Sequence, residues 1–310
     1  MMRCARMMLL LTVLAIAVLP CVAQAPEPPP ADETTVQADP VLLRFCYEEG
    51  EVLTYETKVD GVGSVHVMGQ AQPIEMSGAM EVVTKIESVD EEGNFTIVTD
   101  VDITELSVTM AGSPVPPPKQ DIQMRTKMSP RGEILDMQLT QAVNQPGSET
   151  PWNAEITKLL TGGFDLNRMM LGQKVAAFPE EAVKPGDQWL GAAPEVEVQG
   201  QTAPLEITTK YVNNIELQDR ECAVLDSATS LQPGALGELA TMLGMQGSTT
   251  TQTRTWFDIE AGRMLASMEK TQVNMQVTIP AAMTGGAGGA GVFLEMFVDT
   301  ESKLLPSDEE

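Results

Sequence analysis

The chain has 310 residues and a formal net charge of −25, with 44 acidic against 19 basic side chains and only 4% aromatic residues. So acidic a surface repels phosphate backbones and anionic headgroups, which argues against nucleic-acid binding. One histidine and four cysteines leave little material for zinc sites or for imidazole-based catalysis.

The first residues read as a leader. Arg3 and Arg6 precede an apolar run from Met7 to Leu19, and small residues follow. This pattern predicts a signal peptide over residues 1–23, cleaved after Ala23, and an exported protein, periplasmic or extracellular. A membrane-spanning helix needs about 20 apolar residues, and this run is shorter. Cys21 offers the alternative of lipoprotein anchoring, although Pro20 rather than a small residue precedes it. Residues 24–40 include "APEPPPADETTVQADP", Pro-rich, acidic and poor in apolar side chains, and are expected to form a disordered tether.

From Val41 the dominant signal is alternation of period two. "EVLTYETKVDG" reads as a strand and "VGSVHVMG" as its hairpin partner, turning at Gly61 to Gly63. "MEVVTKIESVDEEGNFTIVTDVDITELSVTM" reads as a strand, a turn at Asp90 to Gly93 and a long strand. "DIQMRTKMSPRGEILDMQLT" adds a hairpin with Pro130 to Gly132 at its tip, which closes a first β unit over residues 41–145.

Residues 146–177 change character. Ile156, Leu159 and Leu160, then Leu166, Met169, Met170 and Leu171, follow a helical spacing interrupted by Gly162 and Gly163, so two short helices are expected. Alternation resumes in residues 178–300, with a helix at Leu236 to Leu243, a flexible Gly-rich insert at 284–291 and a last strand in "VFLEMFVDTES". Residues 301–310 read as an acidic tail.

The two β stretches match block by block in the same order. "GEVLTYETK" pairs with "GDQWLGAAP", "VVTKIESVDEEGNFTIVTD" with "ITTKYVNNIELQDRECAVLD", and "MRTKMSPRGEILDMQ" with "TRTWFDIEAGRMLASME". Gly50 and Gly132 in the first stretch answer to Gly186 and Gly262 in the second. The expectation is a mainly β protein built from two duplicated antiparallel units, forming curved sheets, a half-barrel or a sandwich, with short helices between them. Whether the units share one sheet or form two domains is left open. The loop "FPEEAVKPGDQWL" then opens the second unit, and Trp189 matches Leu53 as an inward-facing core residue.

Catalytic and metal chemistry finds little support. His66 lies on the opposite strand face from Val65 and Val67, which suits a surface or edge position. Asp100 and Asp102 share a strand face, and Asp90, Glu91 and Glu92 sit at a hairpin tip, but 44 acidic residues make such proximity expected. Gly286, Gly288 and Gly291 match G-x-G-x-x-G formally, yet a strand rather than a helix follows. No cofactor is implied and no metal site is predicted; Met242 with Met245 suggests copper(I) only weakly. Cys46 and Cys222 are the two cysteines beyond the leader, and either a disulfide or a pair of free thiols fits them.

Methionine is the unusual component, with 20 in the chain. Met124 and Met128 keep a strand period, as do Val273, Met275, Val277 and Ile279. Thioethers fill cores but also line adaptable apolar pockets. Met124, Met128, Met275, Val277 and Ile279 are therefore the candidate ligand-binding residues.

"VKPGDQW", the strands after it and "TWFDIEAGRML" together resemble exported bacterial β-proteins grouped as domains of unknown function. The curved-sheet plan with helices against its concave side is similar, at the level of fold, to periplasmic lipoprotein-carrier proteins. The resemblance implies no catalytic residue. The expected function is that of a non-catalytic exported β-protein that binds a lipid-like or other apolar ligand, or an envelope protein. The alternative is a structural or protein-interaction module with a packed core and no small ligand.

Overall fold

A computed structural model describes residues 39–67, 70–115, 122–141, 176–192, 196–198, 201–203, 206–231, 246–279 and 290–306. The signal peptide, the tether up to residue 38, the helices at 156–171 and 236–243, and insert residues 284–289 lie outside these.

Fourteen strands follow in chain order: β1 (Val52–Val67), β2 (Gln70–Val89), β3 (Phe95–Met110), β4 (Ser113–Val115), β5 (Ile122–Met128), β6 (Ile134–Gln141), β7 (Gln188–Ala192), β8 (Val196–Val198), β9 (Gln201–Ala203), β10 (Glu206–Leu217), β11 (Arg220–Leu231), β12 (Gln246–Asp258), β13 (Arg263–Ile279) and β14 (Ala290–Leu304). Twelve form one antiparallel sheet in the order β6-β5-β3-β2-β1-β14-β13-β12-β11-β10-β7, with β4 appended to β3; β8 and β9 form a separate ribbon. The protein is mainly β, and both stretches of alternation belong to one sheet, which is not closed among the described strands.

The two halves run as five-strand meanders, β1-β2-β3-β5-β6 and β7-β10-β11-β12-β13, joined by β14 between β1 and β13. Their local geometry agrees at several points, while the register shifts at Ala79/Met80 and Gln123/Met124 of the first meander have no counterpart in the second. Gly50 N donates to Ile86 O at 2.9 Å and Ile86 N to Glu51 O at 2.9 Å; Gly186 N donates to Tyr211 O at 2.8 Å and Tyr211 N to Asp187 O at 2.9 Å. Register shifts fall between Ile86 and Ser88 and between Tyr211 and Asn213. A second pair falls between Lys127 and Met128 and between Trp256 and Phe257. Such irregularities bend a strand and increase its twist, so both meanders are deformed at matching places.

Residues 41–47 bring the halves together. Val41 exchanges backbone hydrogen bonds with Val183, Phe45 N donates to Pro130 O, and Cys46 N donates to Gly262 O. Pro130 and Gly262 sit at hairpin tips whose strands β5 and β13 are five neighbours apart, about 24 Å in a flat sheet. Adjacent amides reach both, so the sheet curls at this end. The Phe45 ring fills the junction, 5.2 Å from Phe178, 5.3 Å from Phe257 and 6.4 Å from Phe95 between centroids. Leu43, Tyr211 and Leu225 pack on one side of it, and Ile86 and Ile97 on the other.

One expected turn is absent. β1 runs unbroken through Gly61 and Gly63, and its partner β2 begins only at Gln70. The glycines serve close approach instead: a Cβ on Gly63 would lie 2.2 Å from Glu295 O and 2.8 Å from Met296 Cα. β14 can therefore press against β1 at that point. β14 also extends from Ala290 to Leu304, so it takes in Gly291 and the first residues assigned to the acidic tail. The turn at Asp90 to Gly93 and the tip at Pro130 to Gly132 form as expected, with Gly93 and Gly132 at positive φ.

Candidate functional site

Strand alternation gives the sheet an inner face and an outer face, and the register maps the inner one. Starting on β1, one row runs Thr57, Ser302, Ser267, Thr255, then Leu225 and Tyr211. The next runs Val59, Thr300, Glu269, Thr253, Ser227 and Thr209, and the third Gly61, Val298, Thr271, Thr251, Thr229 and Ile207. Beyond them the face turns apolar: Val65, Ile74, Val273, Met275 and Leu294 form a cluster with Met110, Val292 and Met296 against it. On the β1–β3 side, Val59, Met80 and Val101 pack with Met76, Ile103 and Val298.

The inner face thus has an apolar far end and a serine–threonine island spread over β10–β14 with Thr57 of β1 beside it, while β1–β3 present mostly apolar side chains with Thr84 and Thr99 among them. Within the island Thr57 and Ser302 hydroxyls are 3.0 Å apart, Thr209 and Ser227 2.7 Å, and Thr251 and Thr271 3.0 Å. Thr271 Oγ1 donates to Glu269 Oε1 at 3.2 Å. Thr255 is only 2% exposed, yet among the described residues its hydroxyl has no hydrogen-bond partner. Buried hydroxyls are usually paired, so an unpaired one marks a place where structure alone does not account for the side chain. Thr126, which faces Ile97 as Thr255 faces Leu225, is the counterpart in the first meander and is likewise buried without a partner among the described residues.

The polar groups elsewhere read as structural. Where β14 ends, Glu51 pairs with Arg263 and the Tyr55 hydroxyl donates to Met264 O at 3.1 Å, which ties β1 to β13. Burial raises the phenols of Tyr47 and Tyr55, and it pushes Tyr211 up to about 12. Asp258 is buried; it accepts from Arg220 Nη1 at 3.0 Å and from the amides of Glu260 and Ala261, fixing the β12–β13 turn. Asp90 does the same at the β2–β3 turn.

His66 is on the outer face, its ring 5.4 Å from that of Phe293. Ser64 Oγ lies 3.1 Å from His66 Nε2. Residues two apart on a strand share a face, which suffices to create the contact. The neighbouring backbone is paired with β2 on one side and β14 on the other, so it is committed to the ladder rather than offered to an oxyanion. Asp100 and Asp102 are exposed on that face, and Asp100 accepts from Gln123 Nε2 at 2.7 Å. Among the described residues no group of three His, Cys, Asp or Glu could hold a metal ion. A shallow groove of about 410 Å3 crosses the outer face near Thr208, Ala228, Thr250 and Gln252, with no charged side chain in its lining.

The structure separates the methionines expected to share a site. Met124 is buried in the row of Thr99, Thr84 and Leu53, and Met128 packs against Ile86, Phe95 and Ile97. Met275 belongs to the row of Leu294 and Val65, twelve residues further along β1 and therefore about 40 Å away along the strand direction. Val277 and Ile279 continue β13 beyond Met275, opposite Val292 and Ala290. Met110 and Met296, not singled out in the sequence, accompany Met275, because register and not local period decides which strands are neighbours. The hydroxyl island also went unnoticed; the alternate threonines of "TTTQTRT" in β12 carry its only local trace. Cys46 and Cys222 are both free thiols, Cys46 exposed and Cys222 buried. Each is held by a different part of one hairpin: Cys222 faces Asp258 in the ladder, and Cys46 bonds Gly262.

The fold defines a class, an open antiparallel sheet with one largely buried face. No protein-family model and no curated protein matches the chain, so the resemblance to exported domains of unknown function rests on its short motifs. A solved structure described as "Lipid-protein interactions in lipovitellin" is similar over 86% of this chain and 26% of its own, with 10% identity and a TM-score of 0.39. This chain therefore spans about a quarter of that protein, and a likeness of this degree carries no functional argument.

Proposed function

We propose that this is a non-catalytic, exported β-protein whose inner sheet face holds an apolar ligand. The observation that carries the reading is the gathering of Met76, Met80, Met110, Met275 and Met296 on that one face, from β2, β3, β13 and β14. Flexible thioethers adapt to an occupant at less cost than branched side chains do. The two meanders are read as copies of one ancestral unit; their matched hydrogen bonds and bulges support this, and β14 welds them into a single face.

A structural or protein-interaction module is the second reading, favoured by the low exposure of Val273, Met275 and Leu294 in the chain by itself. Native mass spectrometry after mild purification separates the two. A co-purifying adduct of lipid mass, lost on organic extraction with a fall in melting temperature, is the result expected for a ligand-binding protein. A bare mass, with no thermal shift on adding lipid, would leave the packed module as the account.

A further inference from the structure

We infer that the outer face of the sheet, over β1 and β14, is a docking surface for a short basic segment of another protein, with Val62 and Phe297 as its apolar anchor. The inference concerns the opposite face from the proposed ligand site and does not depend on what the inner face holds.

Val62 and Phe297 are partners in the β1–β14 ladder, and they are 59% and 47% exposed. They stand in the middle of the sheet and not at its edge. β14 is paired with β1 on one side and β13 on the other, so its backbone is spent and only side chains are on offer. Four residues before Phe297, about 14 Å along β14, Phe293 stands on the same face with its ring against His66. A ring left half in water beside an exposed aliphatic side chain is apolar area that folding does not use.

Charge identifies the occupant. Glu295 and Asp299 flank Phe297 two residues to either side on β14, Glu75 lies beyond Val62 on β2, and Asp60 shares the outer face of β1 with Val62. None of these four carboxylates forms an ion pair among the described residues. Two cations are near: Lys270 is opposite Asp299 in the β13–β14 ladder, and Lys58 pairs with Glu56 at 3.7 Å. Carboxylates therefore outnumber cations around the anchor. A second copy of this chain would set like charges face to face, and a phosphate or an anionic headgroup would meet the same repulsion. A neutral glycan can stack on the ring, but it would desolvate the carboxylates without compensation. A segment with Lys or Arg on either side of an apolar residue answers both features, and its cations also meet the negative face of the phenyl ring.

Size agrees with a segment and not a domain. The anchor and its carboxylates extend from β2 to β14 and from Glu295 to Asp299, about 10 Å by 14 Å. A standard interface buries about 800 Å2 per partner, several times this area.

The test uses three fluorescein-labelled peptides of equal length, alternating Leu-Lys, Leu-Glu and Ser-Lys, titrated with the full chain by anisotropy at about 0.15 M salt. Leu-Lys is expected to bind at least about ten-fold more tightly than either other peptide. Phe297→Ser and Asp299→Lys should each weaken it by about five-fold or more. Leu190→Ser removes an exposed apolar side chain from β7, and Glu91→Lys makes the same reversal of charge at the exposed β2–β3 turn. Both should leave the affinity within about two-fold, since neither touches the anchor. All four positions are exposed, and unchanged melting temperatures confirm that the variants are folded. Equal weakening by Asp299→Lys and Glu91→Lys would reduce the binding to overall charge and overturn the proposal. Full affinity in Phe297→Ser, displacement of the peptide by dextran, or no binding of Leu-Lys overturns it as well. A concentration-dependent dimer in sedimentation that Phe297→Ser abolishes would assign the face to a second copy instead. None of these outcomes bears on a ligand at the inner face.

Discussion

Gly186 stands to Tyr211 as Gly50 stands to Ile86: in each pair the glycine amide bonds the partner carbonyl, with the glycine at positive φ, 98° and 87°. Neither glycine has a neighbouring atom within 4 Å of where a Cβ would stand, so substitution there meets backbone strain and nothing else. Gly50→Ala and Gly186→Ala should each cost about 1–2 kcal/mol, alike to within about 0.5. Gly262 differs, because its Cβ would come within 2.7 Å of Arg44 O and of Cys46 N and Cβ. Gly262→Ala should cost about 3 kcal/mol or more by urea denaturation. Equal costs at all three positions would contradict the contrast.

Phe45 holds the curled end by contacts to both meanders. Phe45→Ala removes ring contacts to Phe95 in the first half and to Phe257 in the second, and should destabilise by about 3 kcal/mol. Hydrogen exchange should report losses in both β3 and β12. A loss confined to one meander would show that the halves are not coupled through this ring.

The thiols give a direct chemical contrast. Burial raises the Cys222 thiol to about 11 and keeps it from solvent, while Cys46 is exposed. Iodoacetamide at pH 8 should modify Cys46 in the native protein and Cys222 only after unfolding, as read by peptide mass spectrometry. Protection of both until a reductant is added would instead mean that they are bridged.

Asp90 sets an acid-dependent contribution. Hydrogen bonds from Lys127 and then Asn94 lower its carboxyl from 3.8 to about 2. A carboxyl depressed on folding contributes stability that is fully present above the ordinary value and is lost as pH falls through the folded one. The stability gap between the parent and Asp90→Asn should therefore be constant above about pH 5 and close between pH 4 and 2. Urea midpoints at a series of pH values measure this, and a gap that stays open at pH 2 would exclude the assignment.

Much of the fold was legible in the sequence and the candidate site was not, for a physical reason. Alternation, the turn at Asp90 to Gly93 and the tip at Pro130 to Gly132 are local, and they specified strands and hairpins. Gly61 and Gly63 misled because a glycine that lets a neighbouring backbone approach looks the same in sequence as one that turns the chain. The matched blocks pointed to two similar β stretches, but not to β14 as the strand that joins them. Met124 and Met275 looked equivalent because each follows a strand period. Only the register, a long-range property, puts one at the curled end and the other about 40 Å away. The hydroxyl island is spread over five consecutive strands, a residue or two on each at a time, so no single segment announces it.

A ligand on the inner face would sit against the methionine cluster of β13 and β14. Photolabelling with a long-chain fatty alcohol that bears a diazirine near its terminal carbon, followed by peptide mapping, tests this most directly. Adducts should concentrate on peptides holding Val273, Met275, Leu294 and Met296, and the unlabelled alcohol should compete them away. Labelling that falls instead on the exposed outer-face residues Val62, Met268 and Phe297 would contradict the central claim, as would labelling that resists competition.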